Sequence, residues 1–151
     1  MQDQECRETL RRLSFGRLGC ARENQPYIVP VYFAFELDNF YGFATFGQKI
    51  EWMRANPHVC IQADEVIAQD NWVSVIALGT YEELSEGSEK AQERRKAQSL
   101  LEKRAMWWQI AYVESNVRGE PRASPAVFYR VDVKEISGLR ATPEGGPVRV
   151  R

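Results

Sequence analysis

Residues 43–50, which read FATFGQKI, form the segment whose residue types and spacing best suit ligand chemistry. A β-rich run ends in this segment, and a short helix is predicted over residues 48–55. Thr45 and Gln48 have the T-x-x-Q spacing of a helix capping box. Gly47 lacks a Cβ, so a ligand oxygen could approach the backbone closely. The segment therefore predicts a helix N-terminus that is open to a ligand.

Lys49 adds a full positive charge to the first turn of this predicted helix. A helix N-terminus already carries partial positive charge, so a cation there is unfavourable unless an anion offsets it. A phosphate would resolve the conflict, because the backbone N–H groups of a helix N-terminus bind anions. In the alternative interpretation Thr45 only caps the helix and Lys49 points into solvent. The segment lacks the G-x-x-x-x-G-K-[ST] pattern of a P-loop.

Hydrophobic periodicity divides the chain into short elements that must position this segment. The predicted strands cover residues 15–22, 27–35, 40–44, 59–64, 72–81 and 126–136. The predicted helices cover residues 3–13, 48–55 and 88–113. Most connections are too short for parallel βαβ winding. The pattern therefore predicts a mainly β protein with peripheral helices, in which an antiparallel Greek-key barrel removes most exposed strand edges.

The predicted strand over residues 27–35, YIVPVYFAF, is apolar on both faces, and we expect it to lie deep in a sheet or barrel. Pro30 interrupts this strand and cannot donate a ladder hydrogen bond. The strand is therefore expected to be unpaired, bulged or at an edge near Pro30. A ligand could occupy the resulting gap.

Composition limits the classes of partner. With 151 residues, 44% of them hydrophobic, the chain is expected to form one domain over residues 1–151. Twenty basic and 21 acidic residues leave almost no net charge, so nucleic acid is not an expected partner. The longest apolar stretch, residues 27–35, is too short to span a bilayer, so no membrane partner is expected. The polar start predicts no signal peptide and hence a cytoplasmic protein.

The cysteine and histidine content argues against a metal site. Cys6, Cys20 and Cys60 show no CxxC spacing, and His58 is the only histidine. A zinc site of the usual kind is therefore not predicted. We interpret the three cysteines as reduced thiols, with Cys20 and Cys60 packed in strands.

The order of these elements resembles the FMN-binding branch of the pyridoxamine-5′-phosphate-oxidase-like family that includes nitroimidazole-reductase-like proteins. The resemblance covers roughly residues 10–140 and rests on the order and spacing of six pieces. They are GRLG at 16–19, PYIVPVYFAF at 26–35, FATFGQK at 43–49, NPHVCIQAD at 56–64, WVSVIALGTYEEL at 72–84 and VFYRVDVKEISGLRA at 127–141.

This resemblance implies a homodimer of FMN-binding split barrels with two FMN molecules at the subunit interface. It implies an oxidoreductase that moves hydride or electrons from a nicotinamide donor to a small, nitro- or quinone-like acceptor. The residues implied at the phosphate and ribityl chain belong to the FATFGQK piece: Thr45, Phe46, Gly47, Gln48 and Lys49. Those implied along the isoalloxazine ring are Val29, Pro30, Val31 and Tyr32. Trp72 and Ser74 match a recurring W-x-S-V, near the flavin or the dimer seam.

The sequence also departs from the true pyridoxamine-phosphate oxidases. Gln48 replaces the arginine of their S-R-K motif, and the R-x-V-L-L-K strand and a W-R-L-H-D-R-type ending are absent. Pyridoxamine phosphate itself is therefore not an expected substrate. Two alternatives stay open. The first is a protein with the same barrel that uses haem or a deazaflavin, with His58 as a possible haem ligand. The second is a non-catalytic flavin-binding module. No catalytic residue is identified.

Four further side chains have a possible role at the site. Trp107 and Trp108 could pack at the dimer interface or line the active site, and the first is favoured because tryptophan is enriched at interfaces. Arg17 and Arg130, on predicted strands, could contact phosphate or substrate across the dimer.

Overall fold

The computed structural model describes residues 1–87, 89–104 and 126–143. Its elements, in chain order, are α1 (Asp3–Arg12), β1 (Phe15–Arg22), β2 (Gln25–Tyr32), β3 (Ala34–Glu36), β4 (Asn39–Thr45), α2 (Gln48–Ala55), β5 (His58–Ala68), β6 (Asn71–Glu83), α3 (Ala91–Glu102) and β7 (Ala126–Ala141). None of the helices in this part of the chain is long and apolar enough to cross a bilayer.

The strands form one antiparallel sheet in the order β2-β1-β5-β6-β7-β4-β3. β2 and β3 lie at opposite ends of this order, although only Phe33 separates them in the chain. The sheet must therefore curl until its two ends approach each other, and β2 does contact β4. Among the described residues β2 and β3 do not pair, which leaves the barrel split. The predicted mainly β, antiparallel split-barrel fold is confirmed.

Two tight hairpins fix the register of the four N-terminal strands. The β1–β2 turn places Glu23 and Asn24 at φ values of 49° and 65°, and the β3–β4 turn places Leu37 and Asp38 at 49° and 59°. Two successive residues with positive φ are typical of type I′ turns, whose twist matches that of the flanking strands. Arg22 consequently pairs with Gln25.

The prediction of one long strand over residues 27–35 is wrong. The structure ends β2 at Tyr32 and begins β3 at Ala34, and it places the two strands at the two edges of the sheet. β2 is therefore not deep in the sheet, and Pro30 is exposed. The expectation that Pro30 marks an edge is confirmed, since a strand with one unpaired side tolerates a missing N–H.

The predicted continuous helix over residues 88–113 is wrong, because α3 begins later and is interrupted after Glu102. Within the described residues α3 spans Ala91–Glu102 and is followed by a turn at Lys103. Ser88 and residues 105–113 lie outside the described residues. The last strand, in contrast, is longer than predicted, because β7 continues from Ile136 to Ala141 along β6.

The barrel interior is filled by apolar side chains from the inner face of the sheet. Leu18, Ile61 and Val75 are at most 1% exposed. α2 contributes Ile50 and Met53, both fully buried, to the same cluster. α3 packs separately, with Ala97 and Leu101, against the outside of β3, β4 and β7. Together these contacts fix α2 against the barrel, where its first turn belongs to the predicted site.

Candidate functional site

The predicted start of α2 is confirmed, but the predicted capping box is wrong. The N-cap residue is Gly47, with φ −174° and ψ −166°, and no side chain caps the helix. Thr45 is the last residue of β4 and therefore precedes the N-cap by two positions. A T-x-x-Q box would need Thr45 itself at the N-cap, and the strand pairing of Thr45 with Ala126 prevents this.

Lys49 lies in the first turn of α2 and is only 4% exposed. The alternative that Lys49 points into solvent is therefore wrong. Burial raises the pKa of the nearby Cys20 thiol, and the positive charge of Lys49 partly opposes that effect. The same helix is fixed to the β1–β2 hairpin, because Trp52 packs on Tyr27 with 5.5 Å between ring centroids. The structure thus combines a buried cation and a helix N-terminus beside the start of β2.

The side chains of the predicted ring-lining segment alternate across β2. Val29 and Val31 point into the core and are almost fully buried. Pro30 and Tyr32 lie on the other face, where the Tyr32 ring packs on Phe15 with 5.1 Å between centroids. Only Pro30 and Tyr32 can therefore present side chains to a ligand outside the barrel, and the two valines can offer backbone groups alone.

Trp72 and Ser74 lie far from α2 along the sheet. Ser74 pairs with Leu139 of β7, whereas Thr45 pairs with Ala126 at the opposite end of that strand. Ser74 also accepts a 2.9 Å hydrogen bond from the Gln62 side-chain amide. A single chain therefore brings Lys49 close to the start of β2, and it does not bring Trp72 or Ser74 there.

The outer face of the sheet was missed from the sequence. Strand register aligns Ile28, Gly19, Cys60 and Leu78 in one row across β2, β1, β5 and β6. Ile28 is 70% exposed and Leu78 is 45% exposed on this face. Ile76 and Leu139 in the neighbouring rows are exposed by 41% and 44%. The apolar run in β6 could have revealed this face from the sequence. Side chains on both faces of β6 are apolar, although the barrel interior covers only one of them.

A groove of about 700 Å³ crosses one end of this outer face. Its walls include Ile28 on β2 and Leu78 on β6, and Gly19 lies between them. Both His58, considered from the sequence as a possible haem ligand, and Cys60, predicted to pack in a strand, line the groove. The volume is within the usual range for small-molecule sites, roughly 300–1,000 Å³.

Comparison with known proteins identifies the family. A model of the pyridoxamine 5′-phosphate oxidase family matches residues 2–140. The chain belongs to the pyridoxamine 5′-phosphate oxidase family. An uncharacterized protein of Rhizobium meliloti strain 1021 is 37% identical over 141 residues, which cover 93% of each chain. The family resemblance inferred from the sequence is therefore confirmed.

Two solved structures of similar proteins extend this comparison. The crystal structure of an FAD-binding protein from Mesorhizobium loti is 39% identical, with a TM-score of 0.77, and the match covers 94% of this chain and 96% of that chain. A protein of Bacteroides thetaiotaomicron whose name refers to resistance to 5-nitroimidazole antibiotics is 23% identical, with a TM-score of 0.64. That match covers 91% of this chain and 82% of the other, and at this identity it shows the shared fold alone.

The two arginines considered as ligand contacts are both ion-paired in this family member. Arg130 donates hydrogen bonds to Glu82 at 2.7 Å and Glu93 at 3.2 Å, beneath α3. Arg17 donates to Asp64 at 2.7 Å on the outer face. Trp107 and Trp108 lie outside the described residues. These ion pairs therefore link neighbouring strands of the sheet within one chain, and Arg130 also links β7 to α3.

A second ion pair joins α2 to β6. Arg54 donates hydrogen bonds to both carboxylate oxygens of Glu83, one of them over 3.0 Å, and the Tyr81 hydroxyl donates to Glu83 over 3.0 Å. Burial tends to raise the pKa of Glu83, but the hydrogen bonds from Arg54 and Tyr81 prevail and leave it lowered. Burial also raises the pKa of Tyr81. The carboxylate of Glu83 thus stays ionised and holds the C-terminal half of α2 in place.

Proposed function

We propose that this chain is a flavoprotein that holds the FMN moiety of its cofactor between the edge strand β2 and the first turn of α2. Membership in the pyridoxamine 5′-phosphate oxidase family supports the proposal, as does the 39% identity to a relative described as FAD-binding. The observation that carries it is the buried position of Lys49 at the start of α2, next to the strand that contains Pro30.

The phosphate end of the site is built from the start of α2. Lys49 supplies a full positive charge, and the backbone N–H groups of the first turn add the positive end of the helix dipole. Gly47 supplies no side chain at the N-cap, so nothing from that residue competes for these N–H groups. Such a donor set fits a phosphate, since charge-assisted hydrogen bonds to an ionised acceptor are the strong ones.

The ring end of the site is built from β2. Pro30 and Tyr32 face outward, and β2 has no strand partner on its second side within the described residues. Backbone groups of an edge strand remain available for a planar heteroaromatic ring to bond. Val29 and Val31 hold this strand in position, because their side chains are anchored in the core.

Trp72 and Ser74 enter the site from a second copy of the chain. In one chain they lie at the opposite end of the sheet from Lys49, so only a homodimer can use both groups at one cofactor. The exposed apolar side chains of the outer face, Ile76 and Leu139 among them, supply the surface for such a dimer. Apolar patches of this kind mark interaction sites, because exposure to water is unfavourable.

The reaction class is the transfer of hydride or electrons from a nicotinamide donor to a small acceptor. When bound, the flavin would supply this redox chemistry, while the protein supplies binding, orientation and electrostatics. Lys49 binds the phosphate and thereby fixes the depth of the ligand in the site. β2 orients the ring, and the second copy of the chain limits access of water.

Flavin binding is tested by titrating flavin-free protein with FMN and with FAD while absorbance is recorded between about 300 and 700 nm. We expect flavin bands that shift on binding, and then bleaching when NADH or NADPH is added under nitrogen. Binding without bleaching by either donor would favour a non-catalytic flavin module. A protein that binds haem but neither flavin would contradict the proposal.

A further inference from the structure

A second cavity, of about 260 Å³, lies where the loop after β6 meets the start of β7. The Leu84 backbone N–H joins the two by a 2.9 Å hydrogen bond to the Phe128 carbonyl oxygen. Among the described residues this cavity shares no lining residue with the 700 Å³ groove, and Lys49 does not line it. Its walls combine two phenylalanine rings with the members of two ion pairs: Phe46, Phe128, Arg54, Glu83, Arg94 and Glu86.

Arg94, in the first turns of α3, is held on one of these rings. Its guanidinium carbon lies 4.6 Å from the centre of the Phe128 ring, and its Nη1 donates a 3.2 Å hydrogen bond to the Leu84 carbonyl oxygen. The Arg94 side chain is only 18% exposed. A guanidinium that stacks on a ring keeps its N–H groups in its own plane, where they can donate hydrogen bonds. The edge formed by Nε and Nη2 is therefore the part of Arg94 that can bind a ligand.

This Nε–Nη2 edge of Arg94 donates no hydrogen bond to any of the residues that the structure describes. The carboxylate beside it belongs to Glu86, whose Oε1 lies 3.6 Å from Nη2, beyond hydrogen-bond distance. The Glu86 side chain is 84% exposed, and such exposed ion pairs contribute little to stability. A cation that is largely shielded from water thus faces the cavity with only a loosely held counter-charge.

Arg54, which lines the same cavity, shows what such an edge binds. Its guanidinium carbon lies 4.9 Å from the centre of the Phe46 ring, and its Nε and Nη2 donate to the two carboxylate oxygens of Glu83. The planar fork of an arginine matches a carboxylate in this bidentate way. Arg94 has the same stacked arrangement and presents the same edge to the cavity.

We propose that this cavity binds a small organic monocarboxylate, whose two oxygens accept hydrogen bonds from Nε and Nη2 of Arg94. Glu83 already neutralises Arg54, so the cavity carries one net positive charge once Glu86 moves away. That balance favours a monoanion, because a dianion would bring one uncompensated negative charge out of water. The phenylalanine rings and Val127 supply apolar walls for a short aliphatic chain or a single ring. The ligand binds without any covalent change, and the site is independent of the proposed flavin function.

The test is a calorimetric titration of the purified protein with sodium benzoate, and with benzyl alcohol as the uncharged analogue. We expect the wild type to bind benzoate with a dissociation constant of about 1 mM or below, and benzyl alcohol at least about tenfold more weakly. Arg94→Gln should weaken benzoate binding about tenfold or more, the scale of a charge-assisted contact. Arg95→Gln is the matched control, because Arg95 is the next residue of α3, is exposed and does not line the cavity. It should leave the affinity unchanged.

Glu86→Gln should change the affinity in the opposite direction. It removes the carboxylate that competes for Arg94, so benzoate should bind about two- to fivefold more tightly, the scale of a weak surface ion pair. The substitution is at a highly exposed side chain, so the variant should fold normally. If Arg94 only anchored the loop after β6, its exposed neighbour would have no such effect. Should Arg94→Gln fail to fold, Glu86→Gln decides the matter alone.

Four results would overturn the assignment. They are failure of the wild type to bind benzoate, unchanged binding in Arg94→Gln, weaker or unchanged binding in Glu86→Gln, and sodium sulfate that binds as tightly as benzoate. Loss of benzoate binding in Lys49→Gln, with Arg94→Gln unaffected, would move the anion to the candidate phosphate site and contradict the assignment as well. The flavin titration of the wild type tests the proposed function separately, so the two proposals can fail independently.

Discussion

The central strand β6 has apolar side chains on both its inner and its outer face, yet only the inner face is covered. On β5 and β6 the inward side chains of Ile61 and Val75 are at most 1% exposed, while the outward Ile76 and Leu78 are 41% and 45% exposed. An apolar side chain stabilises a fold or a complex only where it is removed from water. The inner face therefore explains how one chain folds, and the outer face indicates what the folded chain binds.

The largest expected effect is on the inner face. Ile61→Ala should lower the free energy of unfolding by about 2–5 kcal/mol, because it leaves a cavity in a closely packed core. Ile76→Ala, one residue row away on the outer face, should cost less than about 1 kcal/mol in the monomer. Urea denaturation at low protein concentration measures both. Equal losses would show that the two faces are not different in kind.

Introducing a charge on the outer face should prevent self-association. Ile76→Asp should weaken the proposed homodimer by about 3 kcal/mol, since it buries an unpaired carboxylate. Leu37→Asp is the control, because Leu37 is 71% exposed in the β3–β4 turn. Sedimentation equilibrium reports the dissociation constants. An unchanged dimer in Ile76→Asp would place the interface elsewhere.

Lys49 is the one charged side chain that is buried among the residues the structure describes. Lys49→Gln should weaken flavin binding by about 1–3 kcal/mol, the value of a charge-assisted contact to phosphate. Riboflavin has no phosphate, so its affinity should be unchanged. Lys103→Gln, at the exposed end of α3, is the matched control. Equal losses for FMN and riboflavin would remove Lys49 from the phosphate site.

The Glu83 carboxylate joins the end of β6 to α2 through Arg54. Its contribution to the free energy of unfolding depends on pH. Its pKa is lowered in the folded state, so its stabilisation is present above the unfolded value of 4.5 and is lost as pH falls through the folded value. Glu83→Gln should cost about 1 kcal/mol at pH 7. The gap between the wild type and this variant should close below pH of about 4. Denaturation curves across that range measure the gap, and a constant gap would contradict this account.

The smallest effect on stability is expected at Leu37, an apolar residue exposed in the β3–β4 turn. Leu37 has a φ of 49°, a left-handed conformation that is unfavourable for leucine and common for asparagine. Leu37→Asn should raise the free energy of unfolding by about 0.5 kcal/mol, as thermal unfolding would show. A loss of stability would mean that Leu37 packs on something in solution.

Local signals in the sequence predicted local structure well. Asn56-Pro57 marks the end of α2, and the observed bounds, Gln48–Ala55, are the predicted ones, although the start was predicted from a capping box at Thr45 that the structure does not form. The sequences ENQP at residues 23–26 and ELDN at residues 36–39 also each predict a turn, and the structure has a turn at each place, since turn conformation depends on adjacent residues. The division at Phe33 was not readable, because an unbroken apolar run does not reveal that its two halves join opposite sheet edges.

The candidate site was only partly predictable, because the sequence does not show which strands become neighbours. It singled out Lys49, but the capping box at Thr45 failed once β4 extended to that residue. The groove escaped notice, since its row of Ile28, Gly19, Cys60 and Leu78 comes from four separate strands. The roles assigned to Trp72 and Ser74 stay predictions, because they depend on a second copy of the chain.

The position of β7 has a consequence for synthesis on the ribosome. Among the described strands, β7 is the single link between the group β2-β1-β5-β6 and the pair β4-β3. It also follows all of these strands in the chain, so it is translated after them. Until it emerges, the nascent chain carries two separate sheet fragments, each with an open edge on β6 or β4. Open strand edges are where aggregation begins, so we expect the nascent chain to be most prone to aggregation just before β7 is complete.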